Sequence, residues 1–125
     1  MSDEITLVVP AQEDFRPIVH LVIGGLAVRL DLTFEHLEDL EVALDALLER
    51  PLTEEALTVR VQVLEGELRT TVGPFAGERL RAELERGPDE GVSLRRILDT
   101  VVDAYELDKE GWLELVKRVG PEQAS

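Results

Sequence analysis

"ALTVRVQVLEGELRTTVGP", Ala56 to Pro74, alternates along its whole length. Val59, Val61 and Val63 fall on one side, and Thr58, Arg60 and Gln62 on the other. That is the period-two pattern of a strand with one buried face. Glu65-Gly66 suits a tight turn, so the stretch predicts a β-hairpin from about Leu57 to Val72, ended by Gly73-Pro74. A hairpin in mid-chain decides the fold class, because the sequence on both sides of it changes to a helical period.

Upstream, "LEDLEVALDALLER" runs from Leu37 to Arg50. Leu37, Leu40, Leu44, Leu47 and Leu48 line one helix face, while Glu38, Asp39, Glu41, Asp45 and Glu49 point mostly elsewhere. Thr33 or Asp31 can cap this helix, Glu35 favours its first turn, and Pro51 stops it. Before it, Phe15, Ile18, Val19, Val22, Ile23, Leu26 and Leu30 recur at three- and four-residue steps, predicting a helix from about Gln12. Gly24 and Gly25 interrupt that helix and are expected to let another backbone come close. "EITLVVP", Glu4 to Pro10, reads as a strand stopped by proline.

Downstream, "GERLRAELERGP" predicts a short polar helix closed by Gly87-Pro88. "GVSLRRILDTVVDAYEL", Gly91 to Leu107, predicts a third long helix with Leu94, Ile97, Leu98, Val101 and Val102 facing in. "WLELVKRV", Trp112 to Val119, reads as a last strand, and residues 120–125 as a frayed tail. The order β-α-α-β-β-α-α-β within a single domain, residues 1–125, predicts an α+β two-layer sandwich. Its sheet is expected to be mixed, mainly antiparallel, and covered on one face by helices.

Bulk properties narrow the partners. The 125 residues suit one domain with its own core, and only 4% are aromatic, so Leu, Val, Ile and Ala must fill it. With 27 acids against 13 bases the net charge is -14. Phosphate backbones and anionic lipid surfaces repel such a chain, so neither nucleic acid nor membrane is expected, and a basic protein face is favoured. The absence of cysteine removes disulfides and thiol chemistry and fits a cytoplasmic location. His20 and His36 without cysteine make a poor metal pair and read as surface or interface residues. Ser93 near a helix start reads as a cap, while Trp112 and Tyr105 read as core or sheet cover.

The element order and the stretches "ITLVVPAQEDFRPIVHLVIGGLAV", "LEDLEVALDALLER", "GVSLRRILDTVVD" and "WLELVKRV" together resemble the histidine-kinase-like ATPase (Bergerat) fold. The likeness is nearest to the anti-sigma-factor serine kinases of bacterial partner-switching systems. In that family the second long helix carries a glutamate that orients the attacking group and, four residues on, an asparagine that holds magnesium. That spacing puts both on one helix face. Laid on the family pattern, this sequence has Ala46 at the glutamate position and Arg50 at the asparagine position. Ala46 has no acid function, and a guanidinium has no lone pair for a cation.

The family's adenine-binding aspartate falls near Pro74, where "TTVGPFAG" offers no acid. Its phosphate-cradling turn corresponds to "GVSL", which keeps Gly91 and Leu94 but has Ser93 for the second glycine. The resemblance therefore implies a regulatory domain without catalytic residues or a cofactor. Its expected partner is a protein: a sigma factor, an anti-sigma antagonist, a related kinase or a second copy. The alternative is an ATP-binding serine kinase in which Asp45 and Glu49, also four apart, hold magnesium, with Gly73, Gly91 and Ser93 against the nucleotide.

Overall fold

The computed structural model describes residues 4–50, 52–85 and 93–119. Its core is a five-stranded sheet. Strand β1 (Glu4–Pro10) leads through a 3-10 turn at Glu13–Phe15 to helices α1 (Arg16–Arg29) and α2 (Phe34–Leu48). The hairpin β2 (Ala56–Leu64) and β3 (Glu67–Gly73) follows, then α3 (Gly77–Glu85), α4 (Leu94–Val101), β4 (Ala104–Leu107) and β5 (Leu113–Arg118). The sheet order is β1-β2-β3-β5-β4. Every pairing is antiparallel, so the sheet expected to be mixed is antiparallel throughout.

The hairpin forms as its alternation demands. Val59 lies opposite Val72 and Val61 opposite Thr70. Glu65 (φ 54°) and Gly66 (φ 81°) both take left-handed conformations at the turn, which matches the twist of the strands. Leu57, Val59, Val61, Leu68, Val72, Leu113 and Leu115 are all buried on one face and join the helices' apolar residues in a single core. The other face carries Arg60, Gln62, Glu67, Arg69 and Glu114. Arg69 bridges Glu67 (2.7 Å) and Glu114 (3.4 Å) across it. The α+β two-layer sandwich predicted from the sequence is thus the architecture observed.

In the helical layer α1 packs on α2, α2 on α4, and α4 on α3. Thr33 is the cap of α2: its Oγ1 accepts a hydrogen bond from the His36 amide at 3.1 Å. Asp31 instead takes a left-handed turn conformation (φ 61°). Leu40, Leu44 and Leu47 are fully buried with Ala43, which the leucine stripe had concealed; Leu37 and Leu48 are only half-buried. At the far end of α2, Lys117 on the inner sheet face pairs with Asp39 at 2.8 Å and donates to the Val101 carbonyl at 3.0 Å.

Three expectations are corrected. The third long helix stops at Val101, and Ala104–Leu107 is strand β4. Val102 leaves the helix in an extended conformation (φ -126°, ψ 162°) yet stays buried, so the inward periodicity was right while the backbone state was not. The residues that follow bond to β5: Asp103 N donates to Val116 O in the ladder, and the Asp103 carboxylate accepts from Arg118 N at 2.6 Å. A pairing strand offers a complete set of backbone partners, which a short exposed helix end lacks. Beyond their own helix, Gly24 and Gly25 have nothing among the described residues within 4 Å of where a Cβ would stand, so no other described backbone approaches them. Finally, α2 ends at Leu48, one turn before the predicted stop; Pro51, Gly87-Pro88 and residues 120–125 lie outside the described residues.

Candidate functional site

The residue after the cap of α2, Arg50, reaches α3 at Glu83, and the loop that follows reaches the end of β3 through Thr53 and Pro74. Ala46 lies in the last turn of α2 and Arg50 just past its cap, Glu49, so the two positions stay close although Arg50 has left the helix. Each nitrogen of the Arg50 guanidinium makes a hydrogen bond. Its Nε donates to Glu83 Oε1 (2.9 Å) and its Nη2 to Glu83 Oε2 (2.6 Å), a two-pronged pair across to α3. Its Nη1 donates to the Ala46 carbonyl at 3.1 Å. The Arg50 and Glu83 side chains are 22% and 26% exposed, so this planar pair is partly shielded from water. Where the family pattern calls for an acid and a metal-holding amide, the chain presents a methyl group and a cation tied to its neighbour.

Gly73 ends β3 at a cis bond to Pro74. Both are buried, and Phe75 beyond them is 1% exposed. The Phe75 amide donates to the Gly111 carbonyl at 2.8 Å, and Thr53 N donates to Pro74 O at 3.0 Å. A Cβ on Gly73 would stand 2.8 Å from that Gly111 carbonyl and 3.3 Å from the Trp112 ring. A Cβ on Gly111 (φ 96°) would fall 2.2 Å from Phe75 O. Both glycines are therefore required by the approach of the β4–β5 turn to the end of β3, whatever else binds nearby. Trp112 covers this junction, in keeping with its expected structural role.

Ser93 is the cap of α4, its Oγ accepting from Arg96 N at 3.2 Å, as expected. Gly91 lies outside the described residues. Asp45 and Glu49 make separate contacts. Asp45 turns toward α1, its Oδ1 2.6 Å from His20 Nε2, and Glu41 Oε2 stands 3.5 Å from His20 Nδ1. Burial lowers the His20 pKa, but the hydrogen bond and charge of Asp45, with those of Glu41, outweigh it and leave the imidazole above its ordinary value. Glu49 is 63% exposed, with Arg50 at 3.8 Å. Among the described residues no group of three or more His, Cys, Asp or Glu side chains converges as a cation site would need.

A cavity of about 100 Å³ opens between the end of β1, the start of α1 and the end of α2. Val9, Phe15, Val19, Leu47 and Leu57 line it with Arg50 at its edge; Gly73 and Ser93 are not part of it.

Two features escaped the sequence. Glu83 was one acid among several on a polar helix, and nothing local marks it as the partner of a residue 33 positions away. His20 did leave a signal, as the single titratable residue between Arg16 and Arg29 in an otherwise apolar helix. Compared with protein-family models the chain matches none, and no curated protein matches it either.

Proposed function

We propose that this chain is a non-catalytic regulatory domain that binds proteins. In this reading it is built on a histidine-kinase-like ATPase scaffold and acts in bacterial signalling in the manner of an anti-sigma-factor kinase that has lost its chemistry. The observation that carries the proposal is the Arg50–Glu83 pair. The position assigned to the magnesium-holding asparagine is taken by a cation, and that cation is neutralised within the chain rather than left for a phosphate. Mg-ATP does not fit such a set: Ala46 offers no carboxylate, Arg50 no lone pair, and Asp45 is held by His20. A scaffold can keep its packing after such losses, because the residues that fill the core and those that hold a ligand are largely different sets.

The partner in this reading is a sigma factor, an antagonist of one, or a related kinase, approached through the acidic surface and located with it in the cytoplasm. None of the described helices is long and apolar enough to cross a membrane. The test is thermal unfolding with and without millimolar ATP and magnesium. The melting temperature should be unchanged. Ligand at about a hundredfold over its Kd would add about 2.7 kcal/mol, a rise easily seen, and that rise would overturn the proposal.

A further inference from the structure

Helix α1 carries charge mainly at its ends, Arg16 and Arg29, and is otherwise almost wholly apolar. Between Arg16 and Arg29 only His20 can carry charge, and a helix of that kind ordinarily belongs in an interior. Its inner side is buried through Val19, Ile23, Leu26 and Ala27, but its outer side is open: Leu21 is 75% exposed, Val28 84% and Ile18 39%. Phe34, at the start of α2, is a further exposed apolar side chain, at 73%. Gly24 and Gly25 add open space above the helix axis.

Beside this strip runs a ridge of acids. Glu38, Glu41 and Asp45 recur on α2 at three- and four-residue steps, and Glu49 follows at its C-cap. The contacts of His20 with Glu41 and Asp45 place that ridge against α1. An apolar strip and an anionic ridge lie side by side, each the length of a few helical turns.

We propose that the outer face of α1 and the acidic ridge of α2 together bind an amphipathic helix of a partner protein, its apolar side on Leu21 and Val28 and its basic flank over Glu38 and Glu49. Charge selects this occupant. A second copy would bring the same four carboxylates to the rim, and each copy carries a net charge of -14, which opposes pairing. The proposal rests on the protein-binding reading above and gives it a location and a class of partner.

The probe is a synthetic peptide of leucine and lysine arranged as an amphipathic helix, titrated into the full chain by calorimetry. A peptide of the same composition scrambled to destroy the apolar side, and a leucine–glutamate counterpart, serve as controls. The leucine–lysine helix should bind more weakly as salt is raised, and the two controls should not bind. L21D/V28D should weaken binding about tenfold or more, since it charges the centre of the strip. E38K should weaken it less and flatten the salt dependence. L64D, on an exposed residue of the hairpin, should bind as the parent does, with circular dichroism checking the fold of each variant. Equal binding of the scrambled peptide, or unchanged binding by L21D/V28D, would overturn the proposal. So would a dimer of the parent chain in sedimentation that L21D/V28D dissolves, because the face would then belong to a second copy. ATP with magnesium is added in a parallel titration. Nucleotide binding there would sink the non-catalytic reading, whereas peptide failure alone sinks only this surface.

Discussion

Replacing Glu83 by glutamine removes the charge that answers Arg50 while keeping the size of the side chain. Two limits bracket the effect. Exposed ion pairs contribute about 0.2–1 kcal/mol, and breaking a buried pair costs about 3–5 kcal/mol because a charge is left without its partner. With the two side chains 22% and 26% exposed and joined by two hydrogen bonds, the pair lies between these limits. Discounting for the remaining solvent contact gives an expected loss of about 1–2 kcal/mol. For a domain of this size that lowers the melting temperature by about 3–10 °C. The assay is urea unfolding of the parent, E83Q, R50M and the double variant, so that the cycle isolates the interaction between the two residues. Arg50 also donates to the Ala46 carbonyl, so R50M should cost at least as much as E83Q. An interaction below about 0.3 kcal/mol in the cycle would refute the account, because that is the level of sites without contact.

Leu44 is fully buried in the centre of α2, so Leu44→Ala should destabilise the fold by about 2–5 kcal/mol in the same unfolding assay. Thr70, 1% exposed, has a hydroxyl with no hydrogen-bond partner among the described residues, so Thr70→Val should raise stability by about 1–3 kcal/mol. The pKa of His20 is raised above its ordinary 6.5, so its contribution is fully present below that value and is lost as pH rises through the folded-state pKa. A melting curve series across that range should fall on the alkaline side for the parent, and His20→Gln should remove that part of the slope. Asp45→Asn should lower the His20 pKa read by NMR titration.

What the sequence made legible followed from local pattern. The hairpin of Ala56 to Pro74 carried its own period, turn and stop, and β2 and β3 fell where expected. Thr33 and Ser93 could be recognised as caps because a short side chain before an apolar periodic run has one economical use. Strand β4 was hidden because Tyr105 and Leu107 continue inward from Val101 and Val102, and four residues are too few to separate a period of two from one of 3.6. Only pairing with β5, between residues distant in sequence, decides that segment. The candidate site divides in the same way. That Ala46 and Arg50 lie close could be read from their spacing, although Arg50 stands past the helix end rather than on its face. That Arg50 is closed off by Glu83 could not, since the contact joins two elements that only the folded sheet brings together.

Isothermal calorimetry of the chain with ATP and magnesium tests the central claim most directly. The account predicts no heat of binding up to millimolar nucleotide, with A46E/R50N, which puts the family's two side chains at those positions, compared in the same titration. Saturable binding by the parent chain at micromolar nucleotide would contradict it.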